Sequence, residues 1–187
     1  MICVDHGVLK AIRERRSVRY FLPAELDKEA LDQILDAGRW APSWINSQPW
    51  AFIVVEEPEL KQAIGRIDNR KTAFSKADWM DDAAVAIVIV VDPTEHSNHF
   101  VEDGAIAAQN MALIAHGLGY ASFYLGLSER KAGDTSAEEE VKQLLQVPER
   151  MRVIAILPIG IPERVPESSR KELQTLIHHN MYGHRES

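Results

Sequence analysis

The chain has 187 residues, of which 45% are hydrophobic and 26% are charged, and its formal net charge is −7 at pH 7. A chain of this length and composition can bury a full core, which excludes intrinsic disorder, and we expect residues 1–187 to form a single domain. The acidic balance argues against nucleic acid as a partner. The longest apolar run, Ala83–Val91, is about half a membrane span, which argues against a membrane partner.

The N-terminal residues predict a cytoplasmic protein. The chain becomes polar at Asp5 and His6, so the sequence leaves no room for the apolar core of a signal peptide. The single cysteine, Cys3, cannot form an internal disulfide bond, which fits a reducing compartment.

Apolar periodicity and breakers predict helices that alternate with strands. A short helix over Val8–Arg15 ends in a polar stretch, and Asp27 is a suitable N-cap for a helix over Lys28–Trp40, which Pro42 terminates. The remaining predicted elements are a strand over Ala51–Val55, a helix over Glu59–Ile67, a strand over Ala84–Val91, a helix over Val101–Leu118, a strand over Tyr120–Leu125, a helix over Ala137–Gln146, a strand over Val153–Ile159 and a helix over Lys171–His179.

The order of these elements predicts an α+β or α/β sandwich in which helices flank a mixed sheet. The continuous β-branched run of Ala84–Val91 is typical of a strand that is covered on both faces. The helix over Val101–Leu118 is rich in alanine, which allows another helix to approach it closely, either within the monomer or across a dimer.

A basic segment stands out in this acidic chain. Residues 10–19 carry five positive side chains and one acid, a net charge of +4, so the rest of the chain carries −11. Arg15, Arg16 and Arg19 offer planar forks that bind phosphate, and Ser17 adds a hydroxyl donor. The segment predicts a site for a phosphorylated small molecule; the alternative is a solvated basic surface.

The segment Ala41–Trp50 is the second unusual feature. Two prolines and two tryptophans within ten residues predict a stiff loop with flat surfaces. Asn46 and Gln48 add amides that can recognise the edge of a heterocycle, and Trp44 can form the wall of a pocket. The alternative is a purely structural turn.

Motifs for the common catalytic machineries are absent from the sequence. It contains no P-loop, dinucleotide fingerprint, zinc-protease helix or nucleophile elbow. Two histidine groups, His96 with His99 and His178 with His179 and His184, lack the further ligands that a metal site needs, so we expect no bound metal. The missing acid–base machinery indicates that a bound cofactor carries the chemistry.

Six motifs follow one another along the chain: Arg15–Arg19, Ala41–Trp50, Gln109-Asn110 in the alanine-rich helix, His116–Tyr120, Pro158–Gly160 and Arg170-Lys171. Taken in order, they resemble the nitroreductase family of FMN-dependent oxidoreductases over roughly residues 8–183. The resemblance implies an α+β fold with a mixed, mainly antiparallel central sheet flanked by helices. It also implies an intertwined homodimer with FMN sites at the subunit interface.

The resemblance assigns the basic residues to the cofactor. Arg19 would lie near the N1/O2 edge of the isoalloxazine, where it would stabilise the charge of the reduced flavin. Arg15, Arg16 and Ser17 would contact the phosphate and ribityl chain of FMN, and Arg170, or alternatively Lys171, would close on the phosphate.

The resemblance assigns the tryptophan loop to a second subunit. Pro42, Ser43 and Trp44 would reach the flavin of the partner, Asn46 would stand at or near the site, and Gln48 would support the loop.

The resemblance fixes the residue that faces flavin N5 only to within one position of the sequence. The backbone around Tyr124, Leu125 and Gly126 would lie there, but Ser122–Gly126 replaces the usual small–aromatic–Gly–Gly pattern of the family.

The implied activity is hydride transfer from NADH or NADPH, followed by reduction of nitroaromatics, quinones or a related conjugated acceptor in a ping-pong cycle. Protons can come from water, so no catalytic side chain is required. The alternatives are a specialised flavin enzyme of the same fold (dehalogenation, flavin fragmentation or ring dehydrogenation) and a non-catalytic FMN-binding or storage protein. A structural domain whose basic segment binds another phosphate is a further alternative.

Overall fold

The fold is described from a computed structural model. The structure describes residues 6–69, 79–95, 98–127, 131–132 and 135–185. Cys3 and His96 lie outside these ranges.

The described residues form five α-helices, eight strands and two short 3₁₀ helices. The helices are α1 (His6–Glu14), α2 (Lys28–Arg39), α3 (Pro58–Asn69), α4 (Phe100–Gly117) and α5 (Ala137–Leu144), with 3₁₀ turns at Trp44–Asn46 and Leu173–Leu176. The strands are β1 (Phe21–Leu22), β2 (Trp50–Val55), β3 (Val85–Val91), β4 (Ala121–Ser122), β5 (Leu125–Gly126), β6 (Lys131–Ala132), β7 (Thr135–Ser136) and β8 (Arg152–Pro162).

Strand β8 connects most of the sheet. It pairs with β1, β3, β4 and β5, and β2 pairs with β3, so the main path runs β1-β8-β3-β2. Every one of these pairings is antiparallel, and so is the separate β6–β7 pair. Among the described residues, parallel pairing is limited to one bridge between Ser17 and Ser122. The predicted mainly antiparallel sheet is confirmed.

Helices cover both faces of the sheet. Strand β3 is buried along its whole length, as its sequence predicts. Its residues alternate between two cores: Ala86 and Val88 face the core that includes α3 and α5, whereas Ile87 and Ile89 face the core that includes α2 and α4. The molecule is therefore a three-layer sandwich with the sheet in the middle.

Gly104 of α4 lies against a bulge in β8. Ile89 pairs with Ala155 but Val90 pairs with Val153, so Ile154 is an extra residue on β8. A Cβ atom at Gly104 of α4 would lie 2.7 Å from Cγ1 of Ile154. Glycine is therefore required where the extra isoleucine meets the helix.

The predicted strand over Tyr120–Leu125 is wrong in one respect, because the structure divides it into β4 and β5. The register across β8 is the same on both sides of the break. At the break, the Phe123 N–H donates to the carbonyl oxygen of Pro158 over 3.2 Å, but Pro158 has no N–H to return. The missing donor interrupts the ladder.

The predicted helix over Lys171–His179 is also wrong. Only a single 3₁₀ turn forms there, at Leu173–Leu176, and its two leucines are 66% and 58% exposed. An isolated segment of this length does not hold a helix without a buried face, and neither leucine belongs to the two cores of the described residues.

Gly104→Ala should lower the free energy of unfolding by about 1–2 kcal/mol, because overpacking against Ile154 outweighs the better helix propensity of alanine. Urea unfolding at fixed protein concentration measures this change. In an Ile154→Ala background, which removes the atoms that a new Cβ would meet, the same substitution should be neutral or stabilising. An equal loss in both backgrounds would contradict the packing argument.

Candidate functional site

Arg15 and Arg16 follow the end of α1, and Arg170, from the C-terminal part of the chain, is near enough for its charge to act on Arg15. Burial lowers the pKa of Arg15, and the positive charges of Arg16 and Arg170 lower it further. Arg15 directly follows α1, and its N–H still donates to the Ala11 carbonyl oxygen at 3.0 Å. We call Arg15, Arg16 and Arg170 the arginine cluster.

The arginine cluster has no ion-pair partner among the described residues. Arg16 Nη1 donates to the carbonyl oxygens of Arg13 and Arg15 at 2.6 and 3.0 Å, and Arg170 donates to the Ser169 carbonyl oxygen at 2.8 Å. No described carboxylate forms an ion pair with any of the three guanidiniums. The arrangement can therefore bind an anion.

A cavity of about 160 Å³ lies beside the cluster. Its wall includes Glu14, His116 and Tyr120 as well as Arg15 and Arg16. Ser17 is exposed close by and takes part in the parallel bridge to Ser122. Lys171, the alternative to Arg170, is exposed, and its charge is not among those that shift the pKa of Arg15.

Arg19 lies against aromatic rings. Its Cζ atom is 4.3 Å from the ring centroid of Phe123 and 5.6 Å from that of Trp79. Val18, the residue before it, is buried in the core and donates its N–H to the Ser122 carbonyl oxygen at 3.0 Å. Arg19 is thus fixed by its neighbours in the chain and by two rings.

The segment predicted to face N5 includes β5. Leu125 is fully buried and pairs with Ile156 of β8, so only its backbone can face a ligand. Gly126 is partly exposed, and Tyr124 is 43% exposed. Burial of the ring raises the pKa of the Tyr124 phenol, so this group stays neutral near pH 7.

The tryptophan loop, residues 42–48, is held by the first turn of α4. The Trp44 N–H donates to Asp103 Oδ1 at 3.1 Å, and Asp103 is 3% exposed. The Trp44 ring packs on His99 with 4.8 Å between centroids. Ser43 Oγ accepts the Gln48 N–H at 2.9 Å, which closes the loop. Trp44 itself remains half exposed.

The backbone of the tryptophan loop is strained. Ile45, Asn46 and Gln48 have φ values of 46°, 59° and 49°. Left-handed backbone is unfavourable for L-residues, most of all for a β-branched one such as Ile45, and strain of this kind concentrates at functional sites. Gln48 Nε2 donates to the Asn46 carbonyl oxygen at 3.3 Å, so Gln48 supports the loop.

The structure does not bring the tryptophan loop and the arginine cluster together within one chain. The loop is bonded to Asp103 in the first turn of α4, whereas His116, which lines the cavity beside the cluster, is in the last turn. Thirteen residues separate these positions, which corresponds to roughly 20 Å along the helix axis. No loop residue lines that cavity.

The described residues can be compared with two expectations, the absence of a membrane-spanning helix and the absence of a metal site. No described helix has the length and apolarity needed to cross a membrane. The described histidines belong to no group of three or more potential metal ligands.

Sequence reasoning missed several residues that support the site. Trp79 and Phe123 hold Arg19, and Asp103 and His99 hold Trp44. Asp103 carries one usable signal: it is a carboxylate on an alanine-rich helix face, in a first turn where it can accept backbone N–H groups.

Comparisons with known proteins identify the family of this chain. A model of the nitroreductase family matches residues 12–161. A Methanothermobacter thermautotrophicus relative, provisionally named NADH dehydrogenase/NAD(P)H nitroreductase, is 32% identical over 164 residues, 85% of this chain and 79% of its own. An iodotyrosine deiodinase from Thermotoga neapolitana is 26% identical, over 91% of this chain and 96% of its own.

A solved structure has a similar fold. The FMN-dependent nitroreductase from Clostridium difficile superimposes with a TM-score of 0.83 and 28% sequence identity, over 93% of this chain and 99% of the other. The predicted fold class and the predicted family are both confirmed. The chain belongs to the nitroreductase family.

Proposed function

We propose that the chain is an FMN-dependent oxidoreductase that uses NADH or NADPH and works as a homodimer, with the whole chain as one FMN-binding domain. The observation that carries this proposal is the arginine cluster, three guanidiniums with no carboxylate partner in the described chain. Family membership and the names of the relatives, which include FMN-dependent and NAD(P)H enzymes, support the same cofactors.

The phosphate of FMN fits the arginine cluster. A phosphate monoester carries close to two negative charges near pH 7 and accepts bidentate hydrogen bonds from guanidinium forks. Arg15, Arg16 and Arg170 would supply these bonds, and Ser17 would add a hydroxyl donor. The repulsion among the three arginines would be replaced by attraction to the anion.

The residues along the same edge of the protein would orient the ring. Arg19 would donate to the N1/O2 edge, and the backbone of Leu125 and Gly126 would face N5. When bound, FMN supplies hydride acceptance from NADH or NADPH and electron transfer to a nitroaromatic, quinone or related conjugated acceptor. Donor and acceptor would use the same face in turn, in a ping-pong cycle. Protons can come from water, so no side chain is required as an acid.

A second copy of this chain would complete each site. Apolar side chains of α1, α2 and α4 line an open groove of about 520 Å³, which includes Val8, Trp40 and Ile114. These three side chains are 56%, 72% and 40% exposed. Because the loop and the cluster lie at opposite ends of α4, a two-fold dimer with antiparallel α4 helices would bring Trp44, with Pro42, Ser43 and Asn46, to the partner's cluster.

The C-terminal tail also favours an obligate dimer. Residues 163–185 follow β8 and run largely exposed. The tail carries apolar side chains that are 58–91% exposed, a pattern that calls for coverage by another chain. They are Val165, Leu173, Leu176, Met181 and Tyr182.

A second candidate activity for the same site is reductive dehalogenation of a phenol. It is favoured by the likeness to the iodotyrosine deiodinase over 91% of the chain. Failure with every quinone and nitroaromatic, together with turnover of a halogenated phenol, would favour this candidate.

The proposed function predicts a yellow protein whose absorbance bleaches on addition of NADH or NADPH without oxygen and returns when a quinone is added. Absorbance spectra of the purified protein, before and after each addition, measure this. Flavin that stays oxidised with both donors would favour FMN storage over catalysis. A protein that neither contains nor takes up FMN would overturn the proposal.

Arg15→Ala and Arg170→Ala should each weaken FMN binding about 10–100-fold, since each removes a charged donor to phosphate. Quenching of FMN fluorescence during titration of the apoprotein measures the Kd. Arg66→Ala is the matched control, because Arg66 is exposed on α3 and, among the described residues, bonds only Gln62, at 2.7 Å. Wild-type affinity in either cluster variant would contradict the phosphate assignment.

Ile114→Glu should convert the dimer into monomers, because it buries a charge in the apolar groove, and FMN binding should be lost with the dimer. Ile114→Leu keeps the apolar surface and should remain dimeric. Light scattering after size-exclusion chromatography gives the mass. A dimer of wild-type affinity in the glutamate variant would rule out this face as the interface.

A further inference from the structure

The contacts of Arg19 are aromatic rather than ionic. Phe123 and Trp79 form an edge-to-face pair with 5.8 Å between centroids and 78° between planes. The Arg19 guanidinium lies over both rings, closer to Phe123. Trp79 is 3% exposed and belongs to the core, so this side of the contact is rigid.

A contact with aromatic rings does not neutralise the charge of a guanidinium. The rings attract the cation electrostatically, and the five N–H donors of arginine allow it to bind other groups at the same time. No carboxylate among the described residues pairs with Arg19. Such a side chain is held in place while its charge and its donors remain available to an anionic group.

The backbone fixes the arginine relative to the ring. The Val18 N–H donates to the Ser122 carbonyl oxygen at 3.0 Å, and Ser122 is 2% exposed. Arg19 and Phe123 are the next residues on the two segments. A contact between two anchored neighbours costs little additional ordering, so the placement of the Arg19 guanidinium beside the Phe123 ring is built into the fold.

We propose that Phe123 is a positioning residue that acts through Arg19, with Trp79 as the wall behind the arginine. This inference rests on the proposed function, in which the Arg19 edge faces N1 and O2 of FMN. Reduction adds negative charge at that edge, and a cation held there favours the reduced form. The aromatic support therefore raises the midpoint potential of the bound cofactor.

The test is the midpoint potential of FMN bound to wild type and to Phe123 variants, measured by dye equilibration. Phe123→Leu and Phe123→Met remove the ring but keep an apolar side chain, and making both guards against a folding failure of one. Phe123→Tyr keeps the ring. Phe52→Leu is the matched control, because it is the same truncation in the core on the other face of the sheet.

We expect the two ring-deleting variants to bind reduced FMN up to about tenfold more weakly relative to oxidised FMN, a shift of about 30 mV to more negative potential. Phe123→Tyr and Phe52→Leu should keep the wild-type potential. In an Arg19→Ala background, removal of the Phe123 ring should cause no further shift.

An unchanged potential without the ring, or an equal shift when Arg19 is absent, would overturn the positioning role while FMN binding and reduction by NAD(P)H stand. Failure of the wild type to bind FMN would instead overturn the proposed function on which the role depends.

Discussion

Helix α4 lies directly on the sheet and on α2 because glycine stands at both points of contact. A side chain at Gly104 would meet Ile154 of β8, and one at Gly38 would meet Met111 of α4. The close approach fixes where α4 lies on the sheet, and therefore where each of its two ends lies. The tryptophan loop is bonded to one end, and the cavity beside the arginine cluster lies at the other. The geometry of the site is therefore set by packing of the layers rather than by the loops alone.

The parts of the fold that could be predicted are those decided by local chemistry. The apolar run of Val85–Val91 can only be a buried strand, and Asp27 caps α2 by accepting the Ala30 N–H at 3.1 Å. The break after β4 could not be predicted, because it depends on Pro158 lying opposite Phe123. The helical pattern of the C-terminal tail was misleading, because helix stability comes from a buried face that the tail does not have within its own chain.

In the site too, local patterns could be predicted from the sequence and contacts between distant segments could not. The arginine and tryptophan motifs predicted the family, which the comparisons confirm, because each motif is a short local pattern in the sequence. The approach of Arg170 to Arg15 joins segments more than a hundred and fifty residues apart, and the rings around Arg19 come from two further segments. No local pattern encodes such contacts. The left-handed backbone at Ile45 was equally invisible, since isoleucine is among the last residues that turn propensities would choose.

A cofactor bound at the arginine cluster would also stabilise the folded chain. Three like charges held together raise the free energy of the folded state, and an anion bound among them removes that cost. A ligand that binds only the folded chain stabilises it by about 2.7 kcal/mol when its free concentration is one hundred times its Kd. Cellular proteases degrade chains in proportion to their unfolded fraction. With FMN bound at the arginine cluster as proposed, the abundance of this protein should then follow the supply of flavin.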